Sequence, residues 1–303
     1  MTDDSSRRCF LGVLAATAGA AAFPRPAGST TAPLGAAPSN AGLTIAAVIE
    51  AVVSGIPGAP RTNTVDVVKA GDPAQACTGV VTTFLGTLDV LRKAKSLGAN
   101  LVISHEPVFY NHLDKTDWLA GDRVYQAKRR FLDESRLVVW RAHDTWHTLK
   151  PDPVTTGTLA LLGWESTAKA GAENVREIPP ATLASLAAEL KRKLGSHGVR
   201  FVGDPALVVR RVTLNLGAAG GESQITMLRQ TDVDALVVGE LHEWETSEYV
   251  RDSAAAGWPK AVIVVGHEAS EEAGMRALVD WLRPRVPGVS VTHVPAGDAF
   301  TYV

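Results

Sequence analysis

The chain holds short apolar runs that end in histidine. Leu101-Val102-Ile103-Ser104 runs into His105-Glu106-Pro107, and residues 137–142 run into His143-Asp144-Thr145-Trp146-His147. Residues 261–266 run into His267-Glu268-Ala269-Ser270-Glu271. Runs this short and continuous read as strands buried on both faces of a parallel sheet. In such sheets ligands bind beyond the carboxyl ends of the strands, where these histidines fall. Between the runs the apolar period lengthens to that of a helix. The spacing predicts helices over 41–54, 89–97 (closed by Gly98) and 122–134 (capped by Asp122), with a loop over 110–121. Further helices are expected over 155–162, 180–194, 222–229, 243–256 and 268–282. Strands are expected over 64–69, 79–85, 207–216, 235–238 and 289–294. The alternation predicts an α/β fold in which helical crossovers join parallel strands.

Composition narrows the class without changing this picture. With 303 residues, 46% hydrophobic and 20% charged, the chain can bury a sizeable core. A formal charge of -2 and the lack of a basic block argue against a nucleic-acid footprint. The first residues read as a targeting segment. Ser6-Arg7-Arg8-Cys9-Phe10-Leu11-Gly12 has the form of a twin-arginine signal, followed by an apolar small-residue run over 13–23. We expect a signal peptide at 1–22, a Pro/Ser/Thr/Gly/Ala-rich linker at 23–40, export to the periplasm or beyond, and no membrane span afterwards. Cys77 is then the sole cysteine, so no intrachain disulfide is expected.

The histidines carry the candidate chemistry. His105, Glu106, His143, His147, His267 and Glu271 offer imidazole and carboxylate, donors that suit zinc, iron or manganese. His143/His147 and His267/Glu271 are i, i+4 pairs. If the chain turns helical after each strand, each pair shares a helix face. The set exceeds one tetrahedral site and fits two ions that activate a shared water. Glu240 and His242 follow the 235–238 strand and are expected to line the same cleft. The loop Gly217-Ala218-Ala219-Gly220-Gly221 lacks the lysine and spacing of a phosphate-binding loop. No Gly-x-Ser-x-Gly elbow is present. His112, His197 and His293 have no motif partner and are expected at the surface.

On these residues the chain resembles the Nif-three-like family of dinuclear metal-centre proteins, also labelled GTP cyclohydrolase I type 2 homologues. Its strand ending in Thr/Ser-His-His-Pro corresponds to Ser104-His105-Glu106-Pro107. Its Ala-His-Thr-Asn-Leu-Asp corresponds to Ala142-His143-Asp144-Thr145-Trp146-His147. Its Gly-Glu corresponds to Gly239-Glu240, and its Gly-His-x-x-Thr-Glu to residues 266–271. Two positions depart: Glu106 stands for a histidine and His147 for an aspartate. The counts of histidines and acids are thereby conserved. The resemblance implies two related α/β lobes of mainly parallel sheet, 41–150 and 151–303, with the metal pair between them. It also implies a homo-hexamer.

The function expected is hydrolysis of a small-molecule substrate by a metal-activated water, with two divalent ions per chain. Glu106 or Glu240 would carry the proton. The competing expectation is a non-enzymatic metal-binding or assembly protein. A weaker one is a nucleotide-binding regulator that uses the Gly217 loop.

Overall fold

The computed structural model describes residues 42–230 and 232–303. The expected signal and linker lie outside them. The elements run α1 (Ile45–Ser54), β1 (Val68–Ala70), β2 (Val80–Leu85), α2 (Leu88–Ser96), β3 (Leu101–Glu106), α3 (Arg123–Ser135) and β4 (Val138–Arg141). Then come α4 (Asp144–Thr148), α5 (Pro153–Leu162), β5 (Ala168–Lys169), β6 (Ala172–Thr182), α6 (Leu183–Leu194), β7 (Arg200–Val202) and β8 (Val208–Asn215). The chain ends with α7 (Gly221–Leu228), β9 (Ala235–Val238), α8 (Glu248–Ala255), β10 (Ala261–Val264), α9 (His267–Leu282) and β11 (Val291–His293).

Two sheets result, with strand orders β1-β4-β3-β2-β11 and β5-β6-β8-β9-β10-β7. In the first, β4, β3, β2 and β11 are parallel and only β1 is antiparallel. The second is mixed rather than mainly parallel. Only β8, β9 and β10 run parallel, while β5, β6 and β7 pair antiparallel. The residues after 150 build the whole second sheet and also return β11 to the first.

Each sheet is covered on both faces, which is why its central strands are apolar throughout. Leu101, Ile103, Val138 and Trp140 pack with α1 and α9, while Val102 and Val139 pack with α2 and α3. In the second sheet, Val212, Val237 and Ile263 meet α5 and α6, while Leu236, Val238 and Val262 meet α7 and α8. Each fully buried Val, Leu or Ile contributes ~1.5–3 kcal/mol, so the strands that carry the histidines are held rigidly.

Helix starts follow the caps. Thr44, Thr87, Asp122, Asp152 and Thr182 each accept a backbone N–H from the first turn of their helix. Two expectations shift. The strand expected over 64–69 forms only at Val68–Ala70, because the Asp66 carboxylate accepts the N–H groups of His143, Asp144 and Thr145 instead of lining a sheet face. The helix expected from 180 starts at Leu183. Pro179 and Pro180 sit at a register shift within β6, where missing N–H donors are tolerated. The β5–β6 hairpin was not legible, since β6 is mostly exposed and lacks clean alternation.

α5 and α9 cross closely and bridge the two cores. Val154 of α5 packs in the first core, and Leu159 and Leu162 pack in the second. A Cβ on Gly274 would lie 2.7 Å from the Val154 Cα, and one on Gly157 would lie 3.0 Å from the Ala273 carbonyl. Gly274→Ala is therefore expected to cost about 1–3 kcal/mol of stability through overpacking. Urea unfolding checks this; an unchanged midpoint would show that the crossing can relax.

Candidate metal centre

The carboxyl ends of β3, β4 and β10 converge with the first turns of α4 and α9. His105 and Glu106 end β3. His143 caps α4, which carries His147, and His267 and Glu271 lie one turn apart on α9. Trp146 docks α4 on α9 by donating from its indole nitrogen to the Gly274 carbonyl at 3.1 Å. The i, i+4 pairs therefore face each other across one cleft.

The rings of His105, His143 and His147 are mutual neighbours, with centroids 4.7–5.0 Å apart. Two donor groups have ligand atoms within 4.8 Å of one another: His105, His143 and His147, and His105, Glu106 and Glu271. Glu106 Oε1 lies 3.5 Å from His143 Nε2 and 3.6 Å from His267 Nε2. Glu271 Oε2 lies 3.2 Å from His267 Nε2 and 3.4 Å from His105 Nε2. The sequence-predicted ligands thus meet in one place.

Each of these histidines has its outer ring nitrogen engaged. His105 Nδ1 donates to the Ala142 carbonyl at 3.2 Å, and His143 Nδ1 pairs with Asp144 Oδ1 at 3.0 Å. His147 Nδ1 pairs with Asp152 Oδ2 at 2.9 Å and His267 Nδ1 with Glu240 Oε1 at 2.7 Å. This fixes the tautomer and leaves Nε2 for the cleft, the arrangement metal-ligating histidines show. His105 is wholly buried and its Nε2 has no hydrogen-bond partner. A buried lone pair of this kind costs ~1–3 kcal/mol unless something accepts it. The donor set and this orphaned nitrogen both fit a divalent cation.

The charges are arranged to match. Burial opposes ionisation of Glu271, but the neighbouring His105 and His267 rings outweigh it and hold its carboxyl far below the usual range. Burial likewise opposes a charged His267, yet Glu240 and Glu271 raise it to about 10. Desolvation and then His105 lower His143. His147 is raised, since Asp152 outweighs its burial.

The two acids offered as proton carriers lie in different places. Glu106 lies among the ligand atoms. Glu240 sits behind His267, not in the cleft, because its Oε1 is bound to the outer ring nitrogen. Asp144 backs His143 and is itself held by Thr64 and the Val65 N–H. His112 is exposed as expected, but its ring lies 5.8 Å from that of His143. His293 is a correction: it is largely buried and pairs with Glu272 and Thr82. Sequence reasoning missed Asp66 and Asp152. The Asp-Pro step at 152–153 was a legible helix start, but nothing local ties it to His147. The Gly217 loop serves close approach. Its Gly217 N–H donates to Ser270 Oγ at 3.0 Å and the Gly221 N–H to Glu245 at 3.0 Å. Those amides are thereby engaged within the protein.

Residues 65–296 match the family described as Duf34/NIF3 (NGG1p interacting factor 3). The chain belongs to the Duf34/NIF3 family. It is 26% identical over 214 residues to a GTP cyclohydrolase 1 type 2 homolog of Streptomyces coelicolor, covering 66% of this chain and 72% of that one. A Clostridium perfringens protein of the same name is 22% identical over 211 residues, covering 66% and 76%. Among solved structures, a Bacillus cereus protein related to NIF3 superposes with a TM-score of 0.70 at 15% identity, over 86% of this chain and 99% of that one. A Staphylococcus aureus hypothetical protein superposes at 0.67, with 18% identity and coverage of 86% and 99%. The Duf34/NIF3 fold is thus shared along nearly the full length of these neighbours.

Three outcomes are expected from this geometry. In the metal-free protein His267 holds a proton at neutral pH, so an entering ion must expel it. Calorimetric titration of metal at pH 7 in buffers of different ionisation enthalpy should show proton release, reduced in Glu240→Gln. Because the folded His267 value lies above the unfolded one, its stabilisation is full below ~6.5 and fades as pH climbs towards about 10. The melting temperature of the metal-free protein should fall across that window. Separately, a Cβ on Gly217, whose φ is +68°, would lie 2.3 Å from Glu271 Oε1. Gly217→Ala is expected to displace Glu271 and lower metal content; elemental analysis showing wild-type content would refute this.

Proposed function

We propose that this chain is an exported, dinuclear metal-dependent hydrolase acting on a small-molecule substrate. The observation that carries the reading is the set of histidines whose outer nitrogens are all tied to protein oxygens, leaving Nε2 atoms beside Glu106 and Glu271. His105, His143, His147, His267, Glu106 and Glu271 would hold two ions of zinc, iron or manganese. Such ions supply Lewis-acid polarisation and lower the pKa of water.

The chain's own residues do the rest. Glu271 is held anionic by His105 and His267 and would supply negative charge to bound ions. Asp144, Asp152 and Glu240 lock ring orientation. Glu240, 2.7 Å from His267 Nδ1 and outside the cleft, holds that ring with its Nε2 turned inward. Export rests on the Arg7-Arg8 signal pattern, and hexameric assembly on family resemblance.

Elemental analysis of protein purified without added metal, paired with a phosphoester and amide substrate screen, tests the reading. About two ions per chain and turnover lost together with metal in His267→Ala are expected. Turnover that survives complete metal removal would overturn it. Two ions without turnover, where stripping changes assembly or melting, would favour the metal-stabilised assembly protein.

A further inference from the structure

Arg141 is the last residue of β4 and is wholly buried, in a run that is otherwise apolar. A guanidinium stays protonated, so at this depth its charge must be answered. Its Nε donates to the His105 carbonyl at 3.0 Å, and its Nη1 donates to the His112 carbonyl. Nη2 lies 3.5 Å from Glu106 Oε2, and Nη1 lies 3.6 Å from Asp114 Oδ2. Asp114 does not neutralise it alone. The same oxygen lies 3.2 Å from the buried Lys69 ammonium, while Oδ1 accepts the N–H groups of Val108 and Phe109. One carboxylate is shared by two buried cations, and Glu106 supplies the remaining negative charge.

The Glu106 carboxylate is thereby divided. Oε2 faces Arg141, and Oε1 faces the Nε2 atoms of His143 and His267. A histidine at this position would offer one neutral donor. A free glutamate would add a charge and a second oxygen able to chelate or to take a proton. We propose that Arg141 is the positioning residue that lets Glu106 present one oxygen beside the His143 and His267 Nε2 atoms, cancelling its charge and keeping its other oxygen out of the donor set. This rests on the metal-centre reading.

A cobalt(II) titration of the full chain tests it, read by metal per chain and by the visible spectrum, which reports ligand number. The proteins are wild type, Arg141→Gln, Arg141→Lys, Glu106→His and the double variant Arg141→Gln/Glu106→His, with melting curves for each. In Arg141→Gln the second equivalent should bind ~10–100-fold more weakly, the usual effect of losing a partner behind a ligand, and the spectrum should change. Arg141→Lys should fall between. The double variant should regain both equivalents, because histidine needs no cation behind it. Glu106→His alone should bind more weakly than the double variant, since it leaves Arg141 underpaired. Wild-type affinity and spectrum in Arg141→Gln would overturn the inference, as would failure of Glu106→His to rescue. If Arg141→Gln does not fold, the comparison of the double variant with Glu106→His decides, and equal affinity there overturns it. A wild-type chain that binds no cobalt would instead overturn the parent metal reading.

Discussion

The centre depends on one kind of contact, the hydrogen bond from an imidazole Nδ1 to an oxygen anchored in the scaffold. Ala142, Asp144, Asp152 and Glu240 provide those oxygens. Without them a histidine ring can flip or present either nitrogen, and the Nε2 atoms would not converge. Each anchor is itself fixed. Asp152 caps α5 by accepting from the Val154 N–H at 2.9 Å. The Glu240 carbonyl accepts from the wholly buried Gln224 at 2.7 Å. Ser270 links the Gly217 N–H to the His267 carbonyl. The cleft is therefore preorganised through its outer layer, and the apolar sheets beneath keep that layer from shifting.

The departures from the family's ligand pattern fall into place on the same logic. His147, at a position where the family has an aspartate, points its outer nitrogen at Asp152, so an acid still lies at that edge of the centre, one layer back. Glu106, at a position where the family has a histidine, is matched by the buried Arg141. Glu106 faces the buried Arg141 guanidinium and His147 faces the Asp152 carboxylate, each a partner of opposite charge. Charge is balanced locally even though net charge across the chain is only -2.

Close backbone approach at Gly217 and Gly239 lets the ends of the second sheet reach Glu271. Gly217, Gly239 and Gly266 follow the parallel strands β8, β9 and β10. A side chain at Gly239 would meet the Gly217 backbone at 2.6 Å, and one at Gly217 would meet Glu271. The Gly217 loop is a place where backbone must pass close beside Glu271. α9, pressed against α5, carries His267 and Glu271 to the side chains at the ends of β3 and β4.

Local sequence determined most of the central strands, several helix starts and the candidate donors. Continuous apolar runs could form only doubly covered strands, caps such as Thr87 and Asp122 fixed helix starts, and the i, i+4 spacings of His143/His147 and His267/Glu271 set which donors share a face. Those are short-range consequences of backbone period and side-chain chemistry. The tertiary structure decided everything that joins distant segments. It tied Asp66 to the start of α4 and Asp152 to His147, and it set Glu240 behind His267 rather than in the cleft. It also paired Arg141 with Glu106, buried His293 against Glu272, and returned β11 to the first sheet. No local pattern encodes these contacts, because each depends on which strand ends the packing of α5 on α9 brings together.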